Sequence, residues 1–296
     1  MAGEFRFGVN MITPGGADEW RAKCRRAEEL GFDVILVADH LGMPSPFPAL
    51  VAAAEATRRP RVGTFVLNAG FWNPALLARE VATTDALTGG RLELGLGTGY
   101  VRAEHDTAGL PWGSPGQRVD HLRHVVEELD RLFDSAEYRP RPVQRPRPPL
   151  LIGGNGNRVL GLAAERADTT AFTGARSVPG DKDGRLQHIT PEELDERVAF
   201  HGGAAADRET PPELNLLVQL VAVTDDRRAG IQSFKEHLPD LGEEEILALP
   251  LLLVGTVREI ADQVRAQRER YGFTYITVLE PYLEMFGAVI KELRTG

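Results

Sequence analysis

A single cysteine, Cys24, among 296 residues leaves no partner for an intramolecular disulfide and no cysteine cluster for zinc. Its helical neighbours Trp20, Ala27 and Leu30 make a buried thiol the expectation. No stretch reaches the roughly 18 apolar residues of a membrane span. Met1 is followed by AGEFRFGVN, which has neither a basic n-region nor an apolar h-region, so a cytoplasmic chain without a membrane partner is expected. Positive charge is in deficit as well. The 34 Lys and Arg stand against 43 Asp and Glu, a net charge of −9, which argues against nucleic acid as the main partner because a phosphate backbone needs a basic surface. Metal signatures are missing: there is no HExxH and no carboxylate cluster at ligand spacing.

What is present is a 42% hydrophobic chain that alternates strand-like and helix-like patterns from end to end. Strand patterns fall at 5–11, 33–39, 61–68, from 91, and at 150–154, 167–174, 214–224 and 275–280. Helical patterns fall at 17–31, 46–59, 73–90, 157–166, 191–201, 227–238, 256–270 and 284–294. A further helix carries Val119, Leu122, Val125, Val126, Leu129, Leu132 and Phe133 at 3.6 periodicity. Between them, 100–116 reads as a loop and the proline-rich 137–149 as an extended crossing. Eight βα units with no compositional break predict one domain over 1–296, a closed (β/α)8 barrel with insertion loops at the C-terminal face of the strands; an open doubly wound sheet is the alternative. In a barrel the chemistry sits where the strands end.

Three constellations fall at such ends. In GRLELGLGTGY (90–100) the glycines at 95, 97 and 99 share one strand face, and Tyr100 stands where a G-x-G-x-x-G motif would need its last glycine, which rejects a Rossmann turn. That face suits either a flat ligand or relief of crowding inside the barrel. Asp39 and His40 close the second strand. A histidine there can exchange protons near neutral pH and the adjacent carboxylate could hold its tautomer, or the histidine is structural. In IGGNGNRVLGLAAE (152–165), Gly153, Gly154 and Gly156 can leave backbone N–H groups free at a helix start, a phosphate site that Arg158 could supplement; a plain helix start is the other reading.

The span NPALLAREVATTDALTGGRLELGLGTGYVRAEHDTAGLPWGSPGQRVDHLRHVVEEL (73–129), with Glu104, Gly109 and Arg118 in order, followed by PPLLIGGNGNRVLGLAAERADTTAFTG (148–174), resembles the luciferase-like flavin and deazaflavin oxidoreductases. VADH at 37–40 resembles the branch that uses the deazaflavin coenzyme F420. The resemblance implies a ring lying near Thr98 and Gly99, a phosphate end at Gly153, Gly154, Asn155, Gly156 and Gly174, and a non-prolyl cis peptide near Phe65–Val66. It implies an F420-dependent oxidoreductase that moves a hydride between the deazaflavin and a small organic substrate, with His40 as proton donor or acceptor and Tyr100 in place of a glutamate common among the sugar-phosphate dehydrogenases. Tyr100 and Glu280, at the end of the eighth strand, are further candidate catalytic groups. The alternatives are an FMN-dependent monooxygenase on the same scaffold, a hydrolase using Asp39 and Glu280, and a non-catalytic cofactor-binding barrel. A homodimer paired through the helix at 73–90 is expected.

Overall fold

The computed structural model describes residues 4–13, 15–178, 180–236, 238 and 241–295. Eight parallel strands, Arg6–Met11, Val34–Val37, Arg61–Thr64, Leu92–Gly97, Leu150–Gly153, Thr169–Phe172, Glu213–Val218 and Tyr275–Leu279, form one continuous sheet. The eighth lies beside the first, with Arg6 opposite Tyr275 and Asn10 opposite Leu279, so the sheet closes and the open-sheet alternative is excluded. Short runs such as VILV, buried along their whole length, pack the barrel interior on one side and the helices on the other. Leu122, Val125, Val126, Leu129 and Phe133 are the buried stripe of the helix Pro115–Asp134. That helix starts at a capping box between Ser114 and Gln117, with Pro115 in its first turn. Cys24 is fully buried, as expected.

At the N-terminal ends of the strands, Glu93 bonds both Arg6 and Arg61, and Arg6 also reaches Glu213. The Arg6 guanidinium lies 4.5 Å from the Tyr275 ring centroid. This ion cluster fills one end of the barrel, and the candidate site residues collect at the other.

The pattern read as one strand at 61–68 holds an irregularity. Gly63 pairs with Glu93 and Leu67 with Leu96, so Thr64, Phe65 and Val66 face only Leu94 and Gly95. This is a bulge, and its Phe65–Val66 peptide is cis. Thr64 Oγ1 takes the Gly95 N–H and donates to the Gly95 carbonyl, both at 2.8 Å, in place of the ladder.

The run 214–224 divides. Glu213–Val218 stays in the barrel, whereas Leu220–Val223 leaves it to pair with Leu252–Gly255. This outer pair gathers Leu220, Ile231, Ile246, Leu249, Leu251, Leu252 and Val254 into a second apolar cluster. The helix expected at 227–238 is instead two short ones, Arg227–Gly230 and Gln232–Lys235, and position 237 lies outside the described residues. The expected loop 100–116 contains a helix, Arg102–Ala108. After the sixth strand an antiparallel hairpin, Ala175–Ser177 with Leu186–His188, forms an insertion at the C-terminal face.

The glycines of the fourth strand make this bulge possible. A Cβ at Gly95 would lie 2.0 Å from the Thr64 carbonyl oxygen, and one at Gly97 would lie 2.7 Å from Val66 Cγ2. Gly95→Ala therefore forces two backbones apart and should cost at least ~2 kcal/mol in urea denaturation. By contrast Gly161→Ala, with nothing within 4 Å of the new methyl in the helix Asn157–Arg166, should gain about 0.5–1 kcal/mol.

Candidate active site

The second strand ends two residues before Asp39 and His40, and the chain turns back at once through a Met43 N–H to His40 carbonyl bond of 3.1 Å. His40 points toward the residues after the fourth strand. Its Nδ1 lies 2.8 Å from Glu104 Oε1, and its Nε2 lies 3.2 Å from the Tyr100 hydroxyl. A carboxylate only accepts, so Nδ1 carries a proton, and in the neutral ring Nε2 is the acceptor that the tyrosine hydroxyl faces. Burial, and then the Glu104 charge, push the Tyr100 phenol above its ordinary value, so the hydroxyl stays protonated.

Asp39 does not orient His40. Its carboxylate accepts the Asn68 backbone N–H and the Trp72 Nε1–H, each at 3.2 Å. Burial raises its pKa and those bonds oppose the rise. Asn68 Nδ2 in turn donates to Nε2 of the buried His105 at 2.9 Å, and the other ring nitrogen bonds the Pro111 carbonyl. The tautomer role expected of Asp39 falls by geometry to Glu104, in the sequence a landmark of the family span. Its position in the first turn of an unrecognised helix was the available signal.

Glu280 is likewise engaged elsewhere. It accepts the N–H groups of Ile12 and Thr13 at 2.8 Å and the Lys23 ammonium at 2.7 Å. Burial would raise its pKa, but Lys23 and the two N–H groups outweigh that and hold it below the usual carboxylate range. The carboxylate pins the loop after the first strand and is not free to carry a proton. With both Glu280 oxygens engaged, the two-carboxylate hydrolase has no free pair.

The structure brings Val66 and Gly153 into contact, with Phe65 beside Val66 in the chain and Thr98 and Gly99 directly after Gly97. Val66 packs over Gly97 and, at 3.3 Å from a notional Cβ, over Gly153, and Gly99 lies against the Asn68 side chain. So the glycine face is filled by the bulge, and what a ligand meets above it is Val66, which is only half buried.

In the turn expected to hold a phosphate, Gly154 is not a free donor: its N–H bonds the Ala171 carbonyl at 3.0 Å, and a Cβ there would meet Val159 at 2.8 Å. The helix Asn157–Arg166 nevertheless starts at Gly156 without a side-chain cap among the described residues, leaving its first N–H groups open to solvent or a ligand. Asn155 donates to Thr173 Oγ1 and to the Ala175 carbonyl, and its Oδ1 is buried without a partner. Gly174 is buried because Leu251 occupies the place of its side chain. Arg158 is exposed and paired with Asp120, so its charge is largely offset.

An uncompensated cation comes instead from Arg118, at the start of the helix Pro115–Asp134. Its guanidinium stacks 3.8 Å from the Trp112 ring centroid and donates to the Gly113 carbonyl at 3.0 Å; its Nε is buried without a partner. No acidic side chain pairs with it among the described residues, and burial lowers its pKa. No group of three potential metal ligands occurs among the described residues, and no helix there is long and apolar enough to cross a membrane.

Glu280→Gln should cost about 1–2 kcal/mol at neutral pH, at the low end for a charged hydrogen bond because Lys23 is partly solvated. A carboxyl lowered in the folded state stabilises above the ordinary glutamate pKa of about 4.3. That contribution is lost as pH falls through the folded value, so the melting curves of the variant and parent should converge in acid.

Residues 4–275 match the model of the luciferase-like monooxygenase family. The chain is 30% identical over 298 aligned positions to the oxygenase component of the flavin-dependent trigonelline monooxygenase of Acinetobacter baylyi, covering 84% of this chain and 79% of that protein. It is 27% identical over 312 positions to the F420-dependent glucose-6-phosphate dehydrogenase of Intrasporangium calvum, covering 91% and 92%. The fold superposes on the coenzyme F420-dependent tetrahydromethanopterin reductase of Methanopyrus kandleri with a TM-score of 0.76 at 18% identity, covering 98% of this chain and all of that one.

Proposed function

Because the chain belongs to the luciferase-like monooxygenase family, we propose that it is a coenzyme F420-dependent oxidoreductase that moves a hydride between the deazaflavin and a small alcohol or carbonyl compound. The observation that carries this reading is His40 held between Glu104 and Tyr100 at the end of the second strand. A hydride leaving or reaching a carbon that bears oxygen must be matched by a proton leaving or reaching that oxygen, and His40 Nε2 is the acceptor in place for it. Glu104 fixes the Nδ1–H tautomer and stabilises the ring when it becomes charged. The neutral Tyr100 hydroxyl supplies a donor beside the same nitrogen.

The residues present fit a flavin-type cofactor. Val66 forms a shelf over Gly97 and Gly153; the uncapped helix at Gly156, the unpartnered Asn155 Oδ1 and the unpaired Arg118 offer groups for a polar, phosphate-bearing tail. When bound, the deazaflavin supplies the hydride-carrying carbon; the chain orients the substrate and handles the proton.

An FMN-dependent monooxygenase is the second reading, favoured by the likeness to the trigonelline enzyme over most of the chain. Separate titrations decide between them. Saturation by coenzyme F420 with weak or no FMN binding is the expected result, and tight FMN binding alone would replace the proposal with the second reading.

His40→Ala should leave cofactor affinity within a few-fold and lower turnover by ~10²–10⁴. Turnover equal to that of the parent makes His40 structural. The phosphate placement is tested at Gly156, because its φ of −76° and the open space around it admit a side chain where Gly154 does not. Gly156→Asp should cap the helix and leave the melting temperature unchanged or slightly raised. The same carboxylate should repel the cofactor phosphate and weaken binding about 30-fold, ~2 kcal/mol. Undiminished affinity places the phosphate elsewhere.

A further inference from the structure

We infer that the tip of the 175–188 hairpin is what sets Tyr100 over His40, with Gly184 as the positioning residue. The inference rests on the role proposed above for His40, but its geometry is independent of which cofactor binds. Tyr100 follows the fourth strand with 39% of its surface exposed, and His40 is the one hydrogen-bond partner of its hydroxyl among the described residues. One side of the ring meets His40 edge-on, with centroids 5.3 Å apart and planes at 79°. The Cδ2–Cε2 edge of the ring meets Gly184. A Cβ built on Gly184 would lie 2.9 Å from Tyr100 Cδ2, 3.0 Å from Cε2 and 2.6 Å from Val101 Cγ2. The bare Gly184 backbone is therefore seated on the tyrosine ring, and any side chain there must push it.

The tip is built to stay in place. Asp181 accepts the backbone N–H groups of Arg185 at 2.8 Å and Asp183 at 3.0 Å, and these bonds hold its carboxyl below the usual range. The Val178 N–H bonds the Arg185 carbonyl at 3.0 Å. The Lys182 carbonyl accepts the Ala103 N–H at 3.0 Å, which ties the tip to the helix Arg102–Ala108 that carries Glu104. Both partners of His40 thus meet the same tip: the Tyr100 ring lies against Gly184, and Glu104 lies on the helix whose Ala103 bonds Lys182. The hydroxyl to Nε2 distance of 3.2 Å is already long for an O–H donor, whose usual range centres near 2.7–2.8 Å, so a small displacement of the ring breaks it.

The test uses the full chain without cofactor and reads the His40 ring nitrogens by NMR of 15N-histidine-labelled protein, assigned with His40→Gln. Gly184→Asn is the principal variant, since asparagine tolerates the left-handed φ of +79° while its Cβ still meets the ring. The expected result is a shift of the His40 Nε2 resonance to the position it takes in Tyr100→Phe, with no further shift when the two substitutions are combined. Asp181→Ala, which loosens the tip without adding an atom over the ring, should move the resonance the same way and covers the case in which Gly184→Asn does not fold. An unchanged resonance in Gly184→Asn or Asp181→Ala while Tyr100→Phe moves it, additive shifts in the double variant, or no response to Tyr100→Phe would each overturn the inference. Failure of the cofactor titrations would leave these spectra unaffected, so the two readings fail separately.

Discussion

The Val66 side chain lies where side chains at positions 97 and 153 would stand, and the mouth of the barrel is organised around that contact. The third strand carries one more residue than its partner between Gly63 and Leu67, and the surplus can turn inward only because Gly95 and Gly97 offer no side chain to meet it. Past the bulge the strand resumes pairing at Leu67 and Asn68. Asn68 then fits beside Gly99, passes its amide to His105 and gives its backbone N–H to Asp39. The end of the second strand, where His40 begins, is thereby tied to the third and fourth. Packing between backbones, more than any polar bond, sets where the polar groups stand.

The electrostatics of the mouth work against the charge of the molecule. A chain of net charge −9 repels anions at long range, so an anionic cofactor needs local positive potential. Arg158 contributes little of it, because Asp120 is paired with it. Arg118 and the uncapped helix start at Gly156 are different in kind: the first is a half-buried guanidinium without an acidic partner among the described residues, its Nε buried and unpartnered, and the second is an exposed set of N–H groups that no side chain caps. Groups left in that condition in an otherwise well-paired protein point to a ligand that completes them.

The eight barrel strands were legible because each is a short apolar run between turn signals, and the helices because their periodicity is strong, as along Leu122 to Phe133. What was not legible depends on contacts distant in sequence. LNLLVQLVAVT reads as one strand, yet Leu220–Val223 leaves the barrel to pair with Leu252–Gly255, and no local pattern separates a strand that stays from one that departs. PLLLVG at 250–255 lies outside the count of eight and went unread as a strand, although its composition is that of one. Arg102–Ala108 was lost in a segment rich in glycine and proline at its far end, where seven residues offer too little periodicity to register.

At the site, proximity in sequence misled. Asp39 and His40 are adjacent, and adjacent residues leaving a strand point to opposite sides, so the carboxylate next to a histidine in the chain is poorly placed to bond its ring. Asp39 accordingly turns to Asn68 and Trp72, and the partner of His40 comes from Glu104, 64 residues on, at the start of a helix on the far side of the glycine strand. The same reasoning applies to Glu280, whose place at a strand end is as expected but whose lone pairs are taken by Ile12, Thr13 and Lys23. Of the four groups the sequence offers for catalysis, His40 and Tyr100 are the pair in contact with each other: His40, whose other nitrogen faces Glu104, and Tyr100, whose hydroxyl faces Nε2. A proton carrier needs one side fixed and one side open, and His40 has its fixed side supplied by Glu104, whose carboxylate has no other hydrogen-bond partner among the described residues.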